Sequence, residues 1–375
     1  MLSVRLATSL AAHADWSIDP RKRWITVARR TTTGWALTAP RPVGDVSTLL
    51  TRLRLEAEGG AVALGADLPI GLPRAYAATR PEADFLQFLR DLPGRPDFFA
   101  VCATLAEIRH DRPFYPARGI AGMTRLSHAT ALGLPDASAL SRACDRATAE
   151  RPAGAPLFWT LGANQSGKAA IAAWQHLILP ALANRTPLRL WPFEGPFRSL
   201  LSPGSVTLAE TYPAEALRHL GIKLRGSKRR HADRCATAGA LMTAMDQQSA
   251  TLDDAMRQAV LDGFGADASG EDRFDSVLGV LCVLNVLAGN RPDTAPADPW
   301  IHRWEGWVLG QIALHSRGGA RSRNRPRRGW AMHLTPTVIA VCCPHVPRSN
   351  IRRGVCSGGL NPLAVERLPE AFIRS

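Results

Sequence analysis

An α/β fold is predicted from two features of this chain. Short apolar runs that end on an acidic residue alternate with amphipathic stretches, and a long apolar helical segment begins with two aspartates. The apolar fraction of 46% supplies enough material for a sizeable core in a chain of 375 residues.

The elements follow in order. Residues 8–16 read as a strand ending at Asp15 in AHADWS. Residues 23–39, RWITVARRTTTGWALTA, read as two strands around a Thr-Thr-Gly turn, so the chain opens with an antiparallel pair or meander. DVSTLLTRLRLEAE (45–58) is a helix with Asp45 or Ser47 as its cap and Gly59-Gly60 as its stop. AVALGAD (61–67) is a buried strand that ends on Asp67 before the turn LPIGLP. Residues from about 70 to 155 form a mainly helical insertion, with RPFYPARGIAG as an ordered loop. LFWTL (157–161) reads as a strand and 168–184 as a helix. LRLWPFEG and SVTLAETYP are two strands, the second reaching Glu210. Helices follow over 213–220, 228–247, 251–262 and 270–289; the last carries Asp272 and Asp275. Residues 316–375 are Arg-rich and lack periodicity, and are read as a disordered or divergent tail after a fold complete near Gln311.

Charge and cysteines narrow the classes. The formal charge is +14, but 11 Arg against 2 Glu in residues 316–375 account for +9 of it, so the body is only mildly basic. The 7 cysteines contain no C-x-x-C pair, which argues against a zinc site and fits a reducing cytoplasm. MLSVRLATSLAAHA mimics a signal peptide, but its apolar part is broken by Thr8 and Ser9, and cleavage after Ala14 would leave Asp15 at the terminus. The apolar run 277–288 contains Asn285 and is shorter than the about 20 residues a bilayer needs, so no membrane span is expected.

The acids carry the chemistry. A carboxylate at the end of a buried strand is costly unless something pairs with it. Asp15, Asp67 and Glu210 occupy three such ends, and Asp272 and Asp275, spaced i, i+3, share one helix face. A shared partner is then expected: two Mg²⁺ or Mn²⁺ ions about 3.5–4 Å apart, the arrangement used in two-metal phosphodiester hydrolysis. Each acid also has an ordinary reading, as a turn starter at Asp15, a strand terminator at Asp67, a helix cap at Glu210 or a dipole partner at Asp272.

The strings ADWS, ADLPIGLP, AETYPAEA and EDRFDSVLGVL, with GANQSGKAAIAAWQ and HRWEGWVLGQ, together resemble the predicted RNase H-like nucleases grouped as domain-of-unknown-function family 429. The similarity covers about residues 10–311 and leaves the tail without a counterpart. It implies an RNase H-like mixed five-stranded sheet flanked by helices and a carboxylate cluster at Asp15, Asp67, Glu210 and Asp275, with Asp272 adjacent. On that basis Asp15 would bridge both ions, Asp67 and Glu210 would each complete one shell, and Asp275 would ligate the second ion or orient water.

Nucleic acid, RNA or DNA, is the expected partner. Arg112, Arg118, Lys168 and Lys228 are the expected substrate contacts, with Arg229, Arg230 and His231 beside Lys228. His110 and His128 read as structural, and Trp16 and Trp191 as possible flanks of the site. Two other readings stay open. One is a non-catalytic nucleic-acid-binding or scaffolding protein on the same fold. The other is a nucleotide hydrolase built on Gly162–Lys168, which matches G-x-x-x-x-G-K but continues with Ala169 where a phosphate-binding loop needs Ser or Thr.

Overall fold

The computed structural model describes residues 8–119, 122–148, 152–162 and 166–312. The expected tail, the leader-like first seven residues and the middle of the Gly162–Lys168 loop lie outside the described residues.

Eight strands form one mixed sheet. They are β1 (Thr8–Asp15), β2 (Trp24–Arg30), β3 (Trp35–Leu37), β4 (Arg41–Pro42), β5 (Ala61–Ala66), β6 (Leu188–Leu190), β7 (Val206–Glu210) and β8 (Ala250–Leu252). The order is β6-β7-β5-β1-β2-β3-β8, with β4 paired to β2. β6, β7, β5 and β1 run parallel, β2 is antiparallel to β1 and to β3, and β8 is parallel to β3. The expected count of five strands is therefore too low. The additions are short edge pieces: two-residue β4, three-residue β6 and three-residue β8, the last a stretch that sequence periodicity had merged into a helix.

Alternation along the strands sorts side chains between the two faces. Leu10, Ala12 and Ala14 of β1, Val62, Leu64 and Ala66 of β5, and Val206 and Leu208 of β7 enter one core with the helix α1 (Leu49–Glu56). Ala11, Ala63 and Ala209 enter the other, with the apolar residues of a long C-terminal helix. Helices thus cover both faces, as the buried apolar strands require.

The first core also holds α2 (Ser166–Ala173) and the residues from 70 to 160. That stretch is less helical than expected. Among its described residues are three short helices, Arg74–Ala77, Phe85–Asp91 and Arg125–Ala131, with 3₁₀ turns and irregular chain between them. Its rings pack edge to face, as at Phe88–Phe98 and Phe114–Phe158, and Trp174 beyond α2 joins them. Residues 157–161 form no strand; only an isolated bridge joins Tyr115 and Trp159. The Trp159 N–H donates instead to Pro156 O at 3.1 Å, closing a turn.

On the second face lie α3 (Pro213–His219), α4 (Ala238–Gln247), α5 (Asp254–Leu261) and α6 (Gly270–Leu287). Asp253 caps α5 by accepting the Met256 N–H at 2.7 Å. α6 packs across β1 and β2 and against α3. Two glycines bring it close. A Cβ at Gly279 would fall 2.1 Å from the His13 ring, and one at Gly65 2.8 Å from Val283. The Ser276 and Thr26 hydroxyls, 2.8 Å apart, pin α6 to β2. Among the described residues no helix is long and apolar enough to cross a membrane.

Candidate metal centre

Register brings three acids to one end of the sheet. Ala14 of β1 pairs with Ala66 of β5, and Ala66 pairs with Glu210 of β7. Asp15, Asp67 and Glu210 therefore stand at the carboxyl ends of three adjacent parallel strands, where α/β sheets open a crevice. The Asp67 N–H donates to Ala14 O at 3.1 Å, which holds the Asp15 and Asp67 backbones side by side.

α6 supplies the other acids. His13 meets Gly279. Two residues on along β1 is Asp15, and one turn back along α6 is Asp275, so the two carboxylates face each other across the sheet–helix junction. Asp15 and Asp275 are buried, at 8% and 5% exposure. Among the described residues no hydrogen bond or ion pair reaches the Asp15 or Asp67 carboxylates. Asp275 Oδ1 and Asp272 Oδ2 are also buried without a partner.

The electrostatics follow from that crowding. Burial, then Asp275, Asp67 and Asp272, hold the Asp15 carboxyl well above the ordinary aspartate range. Asp67 is half-buried by exposure, yet lost hydration dominates and pushes it up to about 7. Asp272 rises to about 6 and Asp275 also rises, burial leading in both cases. His13, beneath them, is lowered to about 3 by burial and is a neutral packing residue.

Lys228 enters this cluster. Its ammonium ion-pairs with Asp275 Oδ2 and lies 3.6 Å from Glu271. Asp275, Asp67 and Glu271 together hold its pKa above the ordinary lysine value despite burial. Lys228, expected to contact substrate phosphate, turns its ammonium toward the acid cluster, its side chain 32% exposed. Arg229, 3.7 Å from Glu271, and Arg230 remain mostly exposed beside it.

Glu210 departs from the expected ligand set. It is an even-numbered residue of a strand whose odd residues face α6, so its side chain leaves on the opposite face. There Arg142 grips it through two bonds of 2.6 Å, and the Ile70 N–H donates to it at 2.9 Å. Arg142 also holds Asp145 through bonds of 2.9 and 3.0 Å, and the Tyr212 hydroxyl donates to Asp145 at 2.7 Å. Cys144, Asp145 and Glu210 lie close enough together to suit a metal. The guanidinium already fills that place, and burial keeps the Cys144 thiol protonated. Sequence reasoning missed Arg142 and Asp145, because an Arg and an Asp three apart in a loop carry no signal of a buried partner from β7.

The remaining expected contacts lie elsewhere. Arg112 pairs with Glu107 at 3.2 Å, Arg118 is exposed, and Lys168 is half-buried in the first turn of α2. None of the three bonds to the acids. Among the described residues no strand immediately precedes Gly162, and the middle of the Gly162–Lys168 loop on which the nucleotide-hydrolase reading rests lies outside them. His128 is buried, bonded to Pro113 O at 2.8 Å and lowered to about 4, so it is structural. Trp191 is buried in the second core with its indole N–H on Asp293 O, away from any flanking role. Trp16 follows Asp15 directly, is 6% exposed and lies under the Arg23 guanidinium.

Compared with family models, with curated proteins and with solved structures, the chain finds no match. The functional reading therefore rests on the site.

Proposed function

We propose that this protein is a divalent-metal-dependent phosphodiesterase of RNase H-like type acting on nucleic acid in the cytoplasm. One observation carries the reading: the buried carboxylates of Asp15 on β1 and Asp275 on α6 converge with half-buried Asp67 at the end of β5, and among the described residues Asp275 Oδ1 is buried without a partner and no hydrogen bond reaches the Asp15 or Asp67 carboxylates. Such a cluster is costly in water-poor surroundings unless a cation completes it. All the donors are carboxylate oxygens, which suits Mg²⁺ or Mn²⁺.

Asp15, Asp67 and Asp275 would hold the metal, with Asp272 adjacent. A bound ion would polarise a phosphoryl oxygen and acidify water. The chain's own residues do the rest. Lys22, Arg229 and Arg230 are exposed on the β1–β2 connection and on the turn after Gly226, where they can meet a phosphate backbone. Lys22 is close enough to Asp272 to lower its pKa.

A second reading has one observation in its favour. Glu210 is committed to Arg142 and one Asp275 oxygen to Lys228, which thins the ligand set and suits a non-catalytic nucleic-acid-binding protein. A panel of labelled single-strand, duplex, hybrid and junction substrates with Mg²⁺ or Mn²⁺ separates the two. The hydrolase reading expects metal-dependent, chelator-sensitive cleavage of at least one substrate. Binding without cleavage under either metal would establish the alternative.

A further inference from the structure

Resting on the hydrolase reading, the geometry points to a site for one divalent ion, in which the Lys228 ammonium occupies the place of a second. The two-ion expectation used five acids. Two of the oxygen sets it needs are already taken by the chain's own cations. Arg142 binds both Glu210 oxygens on the far face of the sheet, and Lys228 binds Asp275 Oδ2. Asp15, Asp67 and the buried, unpartnered Asp275 Oδ1 are left, with the unpartnered Asp272 Oδ2 beside them, enough to complete one ion's shell when water and substrate oxygens are added.

Lys228 is built into this position. Its backbone is fixed from below: Arg234, 2% exposed, donates to Lys228 O at 2.6 Å and to Gly263 O and Gly265 O at 2.8 and 2.6 Å. The preceding turn is held by Asp233, which accepts the Ser227 N–H at 2.8 Å. Gly226 adopts φ +106°, and a Cβ there would strike the Asp233 carboxylate at 2.3 Å, so the turn admits little else. Only the lysine side chain extends from this anchored backbone, and it extends into the acids.

The test is the Mn²⁺ count, by calorimetry and by electron paramagnetic resonance, for the full chain and for Lys228→Gln and Lys228→Arg. Circular dichroism melts check that each variant folds. The expected result is one Mn²⁺ for the wild type and for Lys228→Arg, and two for Lys228→Gln. Two ions on the wild type would overturn the inference while leaving the hydrolase reading intact. One ion on Lys228→Gln would show that the lysine holds no cation's place. No Mn²⁺ uptake by the wild type would remove both this inference and the hydrolase reading. If Lys228→Gln does not fold, two ions on the wild type still overturn the inference, and Lys228→Met replaces it in the variant count, with two ions expected and one ion refuting the lysine's place.

Discussion

Replacing Asp67 with Asn should make the metal-free protein more stable. Burial raises the Asp67 carboxyl to about 7, from an ordinary value of 3.8. At about 1.4 kcal/mol per pH unit that difference is about 4 kcal/mol of folding free energy withheld once the group ionises. Contact with water screens part of it, so about 2–4 kcal/mol is the working range. The sign follows from proton counting. Between the two pKa values the folded state holds a proton that the unfolded chain has released. The folded state is therefore favoured at low pH, and that advantage is lost as pH rises from about 4 to about 7. Asn mimics the protonated acid and never ionises. Urea unfolding of wild type and Asp67→Asn should then coincide near pH 4, diverge with the variant ahead, and stay parallel above pH 7. Saturating Mn²⁺ should close or reverse the gap, because a ligand bound by the folded state adds stability that the variant cannot collect. A variant no more stable than wild type at pH 8 would refute the reasoning about the crowded acids.

Arg142→Met should cost about 3–5 kcal/mol at neutral pH, since it leaves Glu210 and Asp145, with side chains at 0% and 1% exposure, without their cation. Arg142 holds the Asp145 carboxyl below its ordinary range, a stabilisation present at neutral pH and lost as pH falls through that lowered value. The penalty should therefore shrink in acid, and a loss under about 1 kcal/mol in urea unfolding at pH 7 would contradict the buried network. Gly279→Ala should lower the melting temperature by an amount equivalent to about 1–3 kcal/mol, because the added Cβ falls 2.1 Å from the His13 ring and overrides the helix propensity gained. Gly239→Ala, which meets nothing within 4 Å, is the control and should be neutral or slightly stabilising.

The sequence showed the backbone of this site better than its partners. Each strand-end acid follows an apolar run, so Asp15, Asp67 and Glu210 could be placed at the carboxyl ends of strands from pattern alone. Asp272 and Asp275 could be placed on one helix from their spacing. What the pattern hides is the register: Glu210 lies in the row of Ala14 and Ala66, one step before Asp15 and Asp67. Glu210 is even where its inward neighbours are odd, and that single step sends it to Arg142. The strand β8 is three residues at an edge, too short for alternation to show. LFWTL is apolar enough for a strand, but its residues are buried among aromatic rings from the 70–115 stretch and make one isolated bridge. Lys228 looked like a surface charge because it belongs to a basic run. Its burial depends on Arg234 and Gly226 holding the turn, contacts that no local pattern encodes.

The central claim is most directly tested by Mn²⁺-dependent cleavage in Asp15→Asn beside the wild type, on the substrate that the panel selects. Asn keeps the shape of the side chain and removes the charge that the other acids crowd. The account predicts cleavage reduced to background with the fold intact by circular dichroism. Cleavage retained at the wild-type rate would contradict it.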